Sequence, residues 1–240
     1  MTFNFGSALR TMFWSLIGRM WSEQAPTRPH VHQVVELLCP SSDIPRACVA
    51  DVGCGAGIYS IALAEAGFDV TGIDSAKGML EQARKAAPAG LGAHLRFEKG
   101  NLDAQLPYRD SQFDSAIAIS VIQATVNPTH ASQEILRILK PGGTLVVLHF
   151  GRQAYHADPL WQQIRQRVAV LKRKTIWNTI LAAVKIIAER SGGSRYWSVD
   201  ELHGLLGNSG FRIESTPNTS PIIVVARRPV EAEVDDSSSE

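Results

Sequence analysis

The tightest constraint on this chain is the run Val49-Ala50-Asp51-Val52-Gly53-Cys54-Gly55-Ala56-Gly57, where an apolar strand pattern breaks into glycines at alternate positions. A helical pattern, IYSIALAEAG, follows at once. Glycine permits a sharp turn and leaves no Cβ between the main chain and a ligand. A strand that enters a helix through such a turn belongs to an open α/β sheet, whose carboxyl edge is where ligands bind. The dinucleotide pattern G-x-G-x-x-G needs a third glycine where this chain has Ile58. The spacing here is G-x-G-x-G, and a bare tight turn is the structural alternative.

Downstream, apolar runs alternate with helical stretches. FDVTGID is followed by SAKGMLEQARKAA, HLRFE alternates like a strand, FDSAIAISV leads to THASQEILRIL, and TLVVLHF comes after Lys140-Pro141-Gly142-Gly143. This order predicts βαβ units and a parallel sheet with right-handed crossovers. A helix over SVDELHGLLGNSG follows, with Ser198 and Glu201 spaced as a capping box. Two last strands, near FRIEST and PIIVVARR, are expected to be antiparallel at the sheet edge. The fold expected is a Rossmann-like, doubly wound, mostly parallel α/β sheet with an antiparallel edge strand. N-terminal helices and a helical lid insertion are added to it. The expected divisions are a helical cap over 1–45, an α/β core over 46–157, the lid over 158–195, the rest of the core over 196–229 and an acidic tail over 230–240.

Charge narrows the class of partner. The chain of 240 residues carries a formal net charge of +1, but the tail VEAEVDDSSSE holds acids and no base. That composition predicts disorder. The body is then modestly basic, far short of a nucleic-acid footprint. Three cysteines are too few for a disulfide framework and suit a reducing compartment. No apolar run approaches the ~18 to 20 residues of a membrane span, and the N-terminus lacks the pattern of a secretory signal. A cytoplasmic protein is expected. The segment Arg165–Arg190 interleaves seven bases with apolar residues. Such a helix is either a solvated basic face or a peripheral contact, through 158–190, with an anionic membrane.

Candidate site residues gather around the glycine turn. Asp51 precedes it, and a buried carboxylate beside open amides can orient a cationic amino group; the alternative is a cap on the turn. Asp74 ends the second strand, where a carboxylate can accept ribose hydroxyls; the alternative is a cap on the following helix. His149 lies at the carboxyl end of the fifth strand as a candidate general base, or as a satisfied core histidine. No metal-ligand spacing is visible. Trp14, Trp21, Trp161 and Trp177 fall in the two helical additions, where they either pack helices or line an apolar pocket.

Asp51-Val52-Gly53-Cys54-Gly55-Ala56-Gly57, then Gly72-Ile73-Asp74-Ser75 with Met79-Leu80, Gly100-Asn101-Leu102 before Leu106-Pro107-Tyr108, Phe113-Asp114 and Leu139-Lys140-Pro141-Gly142-Gly143 together resemble the class I S-adenosylmethionine-dependent methyltransferases. The closest likeness is to the small-molecule branch with quinone and sterol enzymes. It covers roughly residues 47–150 and, more loosely, 198–227. The resemblance implies S-adenosyl-L-methionine as cofactor and S-adenosyl-L-homocysteine as product. Asp51, Gly53, Cys54, Gly55 and Gly57 would hold the methionine part, Asp74 the ribose, and Ser75 and Met79 the adenine. Asn101, with Leu102 beside it, would read the adenine amino group, with Asp103 as competitor. Ser120 to Gln123 would face the methyl donor. Trp21, Gln123, His149 and Tyr155 are the candidate acceptor contacts, for a small apolar or aromatic molecule.

Three other classes compete. A nicotinamide oxidoreductase is disfavoured by Ile58. A nucleic-acid methyltransferase is disfavoured because Asn127-Pro128-Thr129 lies too far past the fourth strand. A repurposed relative that binds the cofactor without transferring methyl groups would carry the same residues.

Overall fold

The central strands β1 (Cys48–Val52) and β4 (Phe113–Ile119) are short runs buried almost throughout, the pattern of parallel strands covered on both faces. They belong to the computed structural model of the chain, which describes residues 11, 15, 30–38, 46–149, 197–217 and 221–230. With β2 (Asp69–Asp74), β3 (Leu95–Lys99), β5 (Leu139–His149), β6 (Arg212–Ser215) and β7 (Ile222–Arg227) they form a seven-stranded sheet of order β3-β2-β1-β4-β5-β7-β6. β1 to β5 pair in parallel, while β7 runs antiparallel to both β5 and β6. The expected parallel sheet with an antiparallel edge is therefore present. Its strand order reverses between β1 and β4, the switch point where an α/β sheet leaves a crevice.

Helices cover both faces. Alternate strand residues point to opposite sides, so Val49, Val70, Ile117, Val146 and Leu148 form one core with Val34 and Leu38 of α1 (Val31–Leu38), Leu63 of α2 (Ile58–Glu65) and Leu80 of α3 (Lys77–Ala86). Ala50, Val52, Ala116, Leu145 and Val147 form the other with Ile135 and Ile138 of α4 (Pro128–Ile138) and Leu202 and Leu206 of α5 (Val199–Asn208). The capping box expected at α5 is made in full: the Glu201 amide donates to Ser198 Oγ, and the Ser198 amide donates to the Glu201 carboxylate.

A partly buried ion pair fixes the loop between β3 and β4. Glu134 accepts from the Leu106 amide at 2.9 Å and from Arg137 at 2.9 Å. Arg137 also donates to the Leu106 and Tyr108 carbonyls and to Asp110. Burial by itself would raise the Glu134 pKa, but the Arg137 guanidinium outweighs it and holds the carboxyl low. The Leu-Pro-Tyr motif is thereby clamped to α4. The segment 158–195 expected as a lid, most of 1–45 expected as a helical cap, and the residues beyond Val230 lie outside the described residues. Replacing Arg137 by Met leaves the Glu134 carboxylate, with 11 % side-chain exposure, without its cation while the Leu106 amide still donates to it, a change that costs about 2 kcal/mol. Urea unfolding at pH 7 should show a loss of that order in Arg137→Met; an unchanged midpoint would mean the clamp contributes nothing.

Candidate functional site

A crevice opens at the carboxyl ends of β1, β2 and β4. Among the described residues it is lined by Asp51, Gly53, Cys54 and Gly55 of the glycine turn, Asp74, Ser75 and Met79 beyond β2, Asn101, Leu102 and Asp103 beyond β3, and Ser120 and Val121 beyond β4. Sequence reasoning anticipated ten of these twelve as site residues, with Asp103 as the competitor of Asn101. It missed Val121.

The shape of the turn comes from its glycines and its hydrogen bonds. Gly53 has φ +72°, and a Cβ there would run into the Val121 side chain. Only glycine meets both conditions. Gly55 has φ +55°, with no atom within 4 Å of where its Cβ would stand. The amides of Gly53 and Cys54 both donate to the Ile73 carbonyl, at 2.7 and 3.0 Å, and the Gly55 amide donates to Asp74 at 2.9 Å. The turn therefore presents an uncluttered main-chain surface rather than the row of open amides expected beside Asp51.

The two carboxylates differ in setting. Asp51 is 1 % exposed and accepts from Ser60 Oγ of α2. Asp74 accepts from the Gly55 amide with Oδ2 and from the Ala76 amide with Oδ1, at 2.8 Å. Burial raises its pKa, and the backbone hydrogen bonds oppose that shift. The helix cap and the ligand role were posed as alternatives for Asp74. Its carboxylate tethers the approach to α3, yet the helix begins at Lys77 with Ala76 as its cap residue. A further backbone hydrogen bond to the carboxylate comes from Ser75, and a carboxylate has about four acceptor directions in all. Cys54 carries a thiol whose pKa burial raises well above the ordinary value, with the charges of Asp51 and Asp74 adding to it; this is an inert thiol.

Beyond β3, Asn101 Oδ1 accepts from the Asp103 amide, and Asp103 Oδ1 accepts from the Val126 amide. Both carboxamide and carboxylate help to shape the loop, and both border the crevice. Ser120 is a non-glycine residue at φ +52°, and its buried hydroxyl has no hydrogen-bond partner among the described residues. Buried hydroxyls of Thr71 and Ser132 are likewise without a partner among the described residues, but of these three only Ser120 borders the crevice.

His149 stands apart. It is 0 % exposed and is absent from the described crevice lining. Its Nε2 accepts from the Trp197 amide at 3.0 Å, which puts the proton on Nδ1. A ring so engaged lacks the free nitrogen a general base requires, and this argues against the catalytic role expected for it. Gln123, in the short 3-10 turn Ile122–Ala124, is 9 % exposed and also lies outside that lining. Gly57 caps α2 rather than facing the crevice. Trp21 and Tyr155 lie outside the described residues.

Residues 50–147 match a family model described as a methyltransferase domain. A demethylmenaquinone methyltransferase of Paenarthrobacter aurescens (strain TC1) is 28 % identical over 181 residues, covering 75 % of this chain and 68 % of that one. A ubiquinone biosynthesis O-methyltransferase of Albidiferax ferrireducens is 29 % identical over 149 residues, 59 % of this chain and 58 % of that one. Against such curated relatives the chain spans between 45 % and 68 % of their lengths. Among solved structures, magnesium protoporphyrin IX methyltransferase from Synechocystis PCC 6803 superposes with TM-score 0.57 at 20 % identity, covering 94 % of this chain and 89 % of that one. The fold is the Rossmann-like fold of class I methyltransferases. The chain thus carries a methyltransferase domain over residues 50–147 and is similar in sequence to methyltransferases of quinone biosynthesis.

Burial pushes the His149 imidazole down to about 4 from an ordinary 6.5. Between those pH values the unfolded chain binds a proton that the folded chain refuses, so stability falls as pH drops through the window, by about 3 kcal/mol at most. His149→Gln keeps an acceptor for the Trp197 amide and removes the titration. Chemical unfolding at pH 7 and pH 4.5 should show a smaller acid loss in the variant than in the wild type. Equal losses would remove His149 as the cause.

Proposed function

We propose that this chain transfers a methyl group from S-adenosyl-L-methionine to a small apolar or aromatic acceptor. The observation that carries the reading is the convergence, in one crevice, of the open Gly55 backbone with the Asp51 and Asp74 carboxylates. The residues fit the cofactor. A Cβ at Gly55 would occupy the cradle that a methionine portion needs. Asp51 supplies a negative charge for an amino group, and Asp74 offers lone pairs to ribose hydroxyls. Ser75, Met79, Asn101 and Leu102 are assigned to the adenine end, with Asp103 beside Asn101, and Ser120 to the donor end.

Bound there, the cofactor supplies a methyl group already activated by the sulfonium charge. The part left to the chain is to hold an acceptor in line and to exclude water. The acceptor wall is assigned to residues 158–195 together with Trp21 and Tyr155, on the aromatic and apolar pattern of those segments. The names of the curated relatives support a quinone precursor, a lipophilic ring compound, as the acceptor class. A substrate of that kind partitions into lipid, and the basic amphipathic pattern of 158–190 gives the protein a means of meeting it at a cytoplasmic membrane surface. Among the described residues no helix is long and apolar enough to cross one.

Calorimetry with S-adenosylmethionine, S-adenosylhomocysteine and NAD tests the cofactor. Binding of the two sulfur nucleosides and not of NAD is expected; binding of NAD alone overturns the reading. Asp74→Ala should weaken nucleoside binding by about ten- to a hundred-fold, the loss of about 1.5 to 3 kcal/mol typical of hydrogen bonds to a charged group. Circular dichroism must show the variant folded. Transfer of labelled methyl to phenolic quinone precursors tests the second half of the proposal, and cofactor binding with no transfer to any of them would favour the repurposed relative.

A further inference from the structure

Gly78 occupies the first turn of α3, where glycine is a poor helix former. Its φ is not positive, so the backbone conformation does not require it. What requires it is contact: a Cβ at position 78 would run into the main chain of Ser15, with the Ser15 carbonyl oxygen nearest. The start of α3 thus gives up a side chain so that the backbone of Ser15 can sit directly on it.

Thr11 lies four residues before Ser15, and both are helical. At that spacing two side chains share one helical face. Thr11 borders the crevice beside Ser75 and Met79, and its Oγ1 donates to Ser75 Oγ at 3.3 Å. That distance is long for two hydroxyls, so the pair is loosely held. Both groups can turn to a ligand that offers better hydrogen bonds. Ser15 on Gly78 is the seat, and Thr11 is what the seat holds at the crevice.

We propose that Thr11 is a binding residue for the nucleoside end of the cofactor, and that Gly78 positions it by admitting Ser15. This rests on the crevice being a nucleoside site, as proposed above. Thr11 contributes a hydroxyl from outside the sheet, beside Ser75, which follows β2. Neither residue belongs to the glycine turn or to the strand-end acids, so the site is completed by a part of the chain remote from the sheet in sequence.

The experiment measures the affinity of S-adenosylhomocysteine by calorimetry and its release by dilution of labelled ligand, on the full chain. Gly78→Ala favours α3 in itself while blocking the seat. It should weaken binding at least ten-fold and speed release to match, with the far-ultraviolet spectrum unchanged. Thr11→Val keeps the shape and removes the hydroxyl; it should weaken binding about three- to ten-fold. Wild-type affinity in Thr11→Val overturns the proposal, whatever Gly78→Ala does, and this holds if Gly78→Ala fails to fold. A wild-type chain that binds neither S-adenosylhomocysteine nor S-adenosylmethionine overturns the proposed function itself, a result distinct from a failure of the variants alone.

Discussion

The Asp74 carboxylate is the joint on which the site turns. One oxygen holds the Gly55 amide and the other the Ala76 amide, so a single side chain ties the glycine turn after β1 to the start of α3 after β2. The adjacent Ile73 carbonyl takes the amides of Gly53 and Cys54. Together these bonds satisfy the main chain of an irregular turn that would otherwise expose polar groups to a buried setting. They also leave the turn's outer surface smooth. A carboxylate so placed is largely desolvated beside a crevice, where a hydrogen bond from an entering donor is stronger than in water.

Rigidity around the crevice comes from similar arrangements further out. The Glu134–Arg137 pair holds the loop containing Leu106 and Tyr108 against α4. Arg228 donates to the carbonyls of Leu136, Arg137 and Leu139 at the end of α4, joining the last strand to the same helix. Against this background Ser120 is held at positive φ with an unpartnered hydroxyl. Its amide is fixed by the Leu148 carbonyl at 2.9 Å, so the sheet imposes that conformation where the crevice is lined.

The sheet and the strand-end side of the crevice were legible in sequence because they are local. Asp51 and the glycines, Asp74 with Ser75, and Gly100-Asn101 each lie at or just past the carboxyl end of a strand, and strand ends in parallel order must meet at one edge. His149 fits that rule as well, which is why it was expected at the site. What removed it was the Trp197 amide, a partner 48 residues away that no local pattern reveals. Gln123 lies outside the described lining because a 3-10 turn redirects the chain just past β4, and the turn has no strong sequence mark. Thr11 was invisible because the pattern of an amphipathic helix does not say which groove it enters. Gly78 was the available signal, a glycine inside an otherwise good helix.

Sequence by itself determined the order of strands and helices, the place of the crevice and the chemical character of its strand-end groups, since these follow from periodicity and from the residues that punctuate it. Only the tertiary structure decided which polar atoms remain available. The Gly53, Cys54 and Gly55 amides and His149 Nε2 are taken by partners distant in sequence, while Ser120 Oγ is left without one among the described residues. Hydrogen bonds between remote segments depend on packing to within a fraction of an ångström, and no pattern of neighbours along the chain encodes that.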